Sequence, residues 1–104
     1  MDLPASKLFS QRMAHWTGNG LSGAALYQRL AEDDELPISF DPTETAAIIG
    51  VNPLSLKKQR NRGTGPEFMR ASERAVRYPR PSLCMYLASR YVTRDAGSIT
   101  GRAA

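Results

Sequence analysis

Leu8, Phe9, Met13 and Trp16 recur at the spacing of one helical face, which predicts a helix from about Ser6 to Trp16. The glycine-rich run Thr17-Gly18-Asn19-Gly20 stops it. Ser22 then stands as N-cap of a second helix carrying Ala25, Leu26, Arg29 and Leu30, with the acidic run Glu32-Asp33-Asp34-Glu35 as its solvated end. A break in character falls at Leu36-Pro37-Ile38-Ser39.

Beyond Phe40 the signals sharpen. Asp41-Pro42-Thr43-Glu44 combines a capping side chain, a proline suited to the first helical position, and a glutamate that reaches back in a capping box. It starts a short helix, Thr43 to Ile49, that packs through Ala46, Ala47 and one of Ile48 and Ile49. Gly50 ends that helix in the left-handed conformation glycine tolerates, and Val51 turns back to the core. Asn52-Pro53 repeats the start signal for a second helix running to about Arg62, closed by Gly63. Two short helices around a three-residue turn make a helix-turn-helix.

On the second of these helices Leu56 faces inward. At ~100° per residue, Leu54, Lys58 and Asn61 lie on the far side, flanked by Ser55, Lys57 and Arg62. Next, the alternation Phe68/Arg70 and Val76/Tyr78 around the turn Ala71-Ser72-Glu73-Arg74 predicts a hairpin. A last helix from about Pro81 to Val92 turns Leu83, Tyr86, Leu87 and Tyr91 inward. The expected fold is thus mainly α with a small β-hairpin wing. It divides into a helical extension over 1–38, a winged helix-turn-helix over 39–93 and a flexible tail over 94–104.

Charge adds a direction to this outline. Residues 1–39 carry three basic and five acidic side chains, whereas 40–104 carry eleven and five. Residues 52–80 alone hold eight basic groups against Glu67 and Glu73. Such a concentrated positive stretch suits a polyanionic partner. Cys84 and His15 are single, so neither a disulfide within the chain nor a cysteine-rich zinc site can be assembled. Cys84 reads as a small buried apolar residue and His15 as helix surface. No apolar run approaches the ~18 residues of a membrane helix, and no secretion signal is visible in the first residues, so a cytoplasmic, nucleoid-associated location is expected. Four adjacent carboxylates at 32–35 diverge around a helix turn and make a poor metal site. An enzyme is not expected, nor is any cofactor.

The ordered set Pro42-x-Glu44-x-Ala46-x-x-x-Gly50-Val51-Asn52-Pro53-x-Ser55-Leu56, Gly63-x-Gly65-Pro66, Val76-Arg77-Tyr78 and Leu83-x-x-Tyr86-Leu87 resembles the excisionase-type (MerR-like, AlpA-like) winged helix-turn-helix proteins. The resemblance covers about residues 40–90. It implies a second helix in the major groove, a wing in the minor groove, and several copies side by side on bent DNA. Carried over, it places Ser55, Lys57, Lys58 and Arg62 on the major groove or its phosphates and Arg74 on the wing. Arg70 and Arg77 would contact the backbone or support the hairpin. Asn52, Leu54 and Asn61 join the set from their position on or beside the same helix, asparagine being able to pair with adenine and leucine with a thymine methyl. Two aromatic positions of the family are changed, to Gln59 and to Tyr86. The lost bulk at Gln59 leaves a gap that Phe9, Met13 and Trp16 of the extension are available to cover.

Members of this family act as excisionases, also called recombination directionality factors, as transcription regulators of mobile elements, or as DNA-binding parts of packaging assemblies. The first role is expected here, with double-stranded DNA, neighbouring copies of the chain and an integrase as partners. The acidic run has two further readings, screening the basic face or touching a neighbouring copy.

Overall fold

The computed structural model describes residues 3–92 of the 104; the expected tail over 94–104 lies outside them. Among the described residues the chain is mainly helical, with a small three-stranded antiparallel sheet. Helix α1 spans Ala5–Gly18 and buries Ala5 and Phe9, with Leu8, Met13 and Trp16 half-buried along the expected face. Helix α2, Gly23–Leu30, ends before the acidic run, which forms a turn instead of a solvated helix end. That run has an inside. Asp33 is 4% exposed, and its carboxylate accepts from Arg12 Nε at 2.7 Å, Trp16 Nε1 at 2.8 Å and the Glu35 amide at 3.0 Å. Burial alone would raise its pKa, but these donors together hold it below the ordinary value.

Helix α3, Pro42–Ile49, starts with the full capping box: Asp41 Oδ1 accepts from the Glu44 amide and Glu44 Oε1 from the Asp41 amide. Thr45 and Ala46 are buried while Ala47 faces solvent, so the expected packing through Ala47 is corrected. In an eight-residue helix a phase error of one position is enough to turn an alanine outward. Gly50 adopts φ +94°, which reverses the chain into helix α4, Pro53–Arg62.

Strand β1 is only Ser39–Phe40, too short to leave a local pattern of alternation. It pairs with β3, Val76–Pro79, whose other edge carries β2, Met69–Arg70. The sheet order is therefore β1-β3-β2. Buried Val76 and Tyr78 alternate with Arg77 and Pro79 along the central strand, the period-2 pattern of a sheet with one covered face. Helix α5, Arg80–Arg90, closes the described chain and stops short of Tyr91. Tyr91 is half-exposed with its ring against Tyr27 and beside Gly23, so it is not the inward residue expected.

Two apolar clusters hold these elements. The larger joins Ala5, Phe9, Leu26, Leu30 and Leu36 to Phe40, Leu83 and Cys84, so residues on both sides of position 38 share one interior. Phe9 meets Phe40 edge-on at 6.2 Å between ring centres. The smaller cluster, Ala46, Leu56, Val76 and Tyr78, lies under α4, and Ile49 touches both. Arginines tie the edges. Arg80 donates to Ala31 O and Leu36 O, and its amide donates to Ile38 O. No helix among the described residues is long and apolar enough to cross a membrane.

Candidate nucleic-acid interface

Helix α4 is presented by its two ends. At its start the Asn52 side-chain oxygen accepts from the Ser55 amide at 2.8 Å, and Pro53 occupies the first turn. At its end Gly63 takes φ +77°. In between, Leu56 is fully buried against Ala46, Val76 and Tyr78, a burial that contributes about 1.5–3 kcal/mol. Leu56 therefore fixes the rotation of the helix. The opposite side shows Leu54, 60% exposed, with Lys57, Lys58, Asn61 and Arg62 also exposed and Ser55 half-buried beside them.

One basic residue of α4 does not share that face. Arg60 is half-buried and donates from Nη1 to the Tyr78 hydroxyl at 2.9 Å, and its guanidinium lies 5.7 Å from the centre of the Phe68 ring. It locks α4 to β3 and to the segment entering the hairpin. The inward side of α4 thus includes an arginine beside Leu56. A charged residue one turn beyond Leu56 carried no local sign of that role.

The hairpin β2–β3 projects beside α4. Its loop, Ala71 to Ala75, is closed by the Ala71 amide donating to Ala75 O. Ser72 Oγ accepts from the amides of Arg74 and Ala75. Arg74 at this tip and Arg70 on β2 are exposed, Arg70 5.9 Å from the Phe68 ring centre. Arg77 behaves differently: it is half-buried and donates to both Ser39 Oγ and Ser39 O at 3.0 Å. Its guanidinium ties β1 to β3. The exposed members of the sequence-derived set, Asn52, Leu54, Lys57, Lys58, Asn61, Arg62, Arg70 and Arg74, remain on the surface of α4, its cap and the hairpin.

The gap expected at Gln59 is handled locally. Phe9, Met13 and Trp16 pack into the larger cluster and do not cover it. Gln59 instead sits against Gly65, its amide oxygen buried without a hydrogen-bond partner, and a β-carbon at Gly65 would meet that oxygen at 2.9 Å. Gln59 and Tyr86 now line an open trough between α4 and α5. No family model, curated protein or solved structure matches the chain.

Proposed function

We propose that the chain is a sequence-specific double-stranded-DNA-binding protein of winged helix-turn-helix architecture, with α3 bracing α4 in a major groove and the β2–β3 hairpin as the wing. One observation carries the reading. A helix whose rotation is fixed by buried Leu56 and by Arg60 exposes Leu54, Lys57, Lys58, Asn61 and Arg62 together on one side. An exposed leucine amid lysines and an asparagine serves no purpose for solubility. It suits a surface that meets thymine methyls, base edges and phosphates at once. Arg70 and Arg74 extend the positive surface along the hairpin toward a neighbouring minor groove, where a narrow groove attracts arginine.

The role that fits such a small, non-catalytic DNA binder, given the family resemblance, is the excisionase-type one. Adjacent copies bind near an attachment site, bend the duplex and favour integrase-mediated excision. Its demands are phosphate neutralisation, some base readout and contact between neighbours. Gel-shift and bending assays on DNA flanking the gene test the reading. Affinity should fall steeply with salt, by a log–log slope of about −0.9 per phosphate neutralised. Lys58→Ala should relax base preference if Lys58 reads a base, whereas loss of a phosphate contact weakens all sequences alike. Failure to bind any duplex at low salt overturns the proposal. Binding with bending but with a promoter effect and no excision would assign the fold to transcription instead.

A further inference from the structure

The trough between α4 and α5 has a chemistry that the groove-facing side of α4 does not account for. Besides Gln59, its lining includes Ser55, Lys58 and Arg62 from α4 and Tyr86 and Arg90 from α5, with Thr64 and Gly65 from the turn after α4. The volume is about 450 Å³, open to solvent. Three full positive charges stand around it and no carboxylate lines it. Both helices end nearby, and their C-terminal carbonyls contribute about half a negative charge each. The three cations outweigh them. The guanidinium of Arg90 lies 5.7 Å from the centre of the Tyr86 ring, which favours its position beside the trough.

We infer that this trough seats one backbone phosphate of bound duplex, with Arg90 of α5 as its contact from outside the helix-turn-helix. The inference rests on the DNA-binding reading above and extends it to a residue beyond α4 and the hairpin. Two of the three cations, Lys58 and Arg62, also belong to the exposed side of α4. A duplex that receives that side in its major groove therefore carries the flanking strand over the adjoining trough. The remaining charge, Arg90, comes from a different element, so the phosphate is held from two directions. Hydroxyls of Ser55 and Tyr86 add donors of the kind that commonly bind phosphate oxygens. Lining by three cations and by hydroxyls, with no carboxylate, suits a charged phosphodiester better than a base.

The test is Arg90→Gln, at an exposed position where circular dichroism should show an unchanged fold, beside Arg90→Lys. Binding is measured on a preferred and a scrambled duplex over a salt series. Arg90→Gln should bind both duplexes roughly five- to tenfold more weakly at ~0.1 M salt, with a salt slope shallower by about one. Arg90→Lys should recover the slope, because it restores the charge. A duplex series carrying one neutral methylphosphonate at a time then locates the contact. One position should weaken the wild-type protein clearly more than it weakens Arg90→Gln, which keeps only the Lys58 and Arg62 side of the contact. If Arg90→Gln keeps wild-type affinity and slope while Lys57→Ala, outside the trough, loses both, the trough does not take a phosphate and the DNA-binding reading stands. If the wild-type protein binds no duplex, both fall.

Discussion

Asp33 offers the sharpest test of how the N-terminal helices are held. Replacing it with alanine removes one acceptor from three donors at once: the Arg12 guanidinium, the Trp16 indole and the Glu35 amide. A hydrogen bond to a charged group contributes about 1.5–3 kcal/mol and a neutral one about 1 kcal/mol. The Arg12 side chain is 22% exposed and recovers some hydration when its partner is lost, which reduces the first figure. The expected cost is about 2–4 kcal/mol, a large share of the total stability of a domain this size. At ~4–8 °C per kcal/mol, thermal unfolding should move down by roughly 10–30 °C. Urea titrations followed by circular dichroism and by fluorescence of Trp16, the single tryptophan, measure the cost globally and at the site. Asp34→Ala, at an exposed neighbour, should stay within ~0.5 kcal/mol of wild type. Equal effects of the two substitutions, or an Asp33→Ala protein as stable as wild type, would refute the claim that the carboxylate joins α1 to the turn after α2.

The same group sets an acid limit. Its folded pKa lies below the ordinary 3.8, so its stabilisation is complete above that value and is lost as pH falls through the folded one; urea midpoints should drop on acidification below about pH 4, and less so in Asp33→Asn. Gly65→Ala should cost about 1–2 kcal/mol by urea titration, because Gly65 sits at φ +80° and a β-carbon there meets Gln59. Adding Gln59→Ala should recover only the contact part, since the backbone strain remains. Burial pushes the Cys84 thiol up to about 12, with Arg80 opposing and Asp33 reinforcing. A thiol reagent at pH 8 should therefore react with the native protein only at the rate of unfolding and label it promptly in denaturant; fast native labelling would contradict the burial.

The helix starts and stops around α3 and α4 were legible in the sequence because their causes are local. Asp41, Glu44, Gly50, Asn52 and Gly63 each act on backbone groups within a few residues, and each takes the role its chemistry implies. The outward residues of α4 were legible for a related reason: one buried leucine fixes a helix's rotation. What escaped was made by distance. Strand β1 is two residues long and exists only because β3, almost forty positions later, offers it an edge. Asp33 looks like its acidic neighbours until α1 brings Arg12 and Trp16 against it. Arg60 and Arg77 belong to a basic stretch by composition, yet Tyr78 and Ser39 draw them into structural bonds. The same distinction separates Arg74 from Arg77, two arginines three positions apart on one hairpin, one exposed and one committed.

The clasp of Arg80 on Ala31 and Leu36, with the Phe9 and Leu26 side of the larger cluster closing on Leu83 and Cys84, bears on how the protein is made. On a ribosome α2 emerges well before α5, yet the surface it buries against on α5, around Leu83 and Cys84, lies more than fifty residues downstream. Two short helices with an uncovered apolar face are unstable alone in water. They must stay unfolded, or shielded, until α5 leaves the exit tunnel. Assembly is then a late, collective event, and a nascent chain halted before Leu83 presents an open hydrophobic face to whatever chaperone or neighbour it meets.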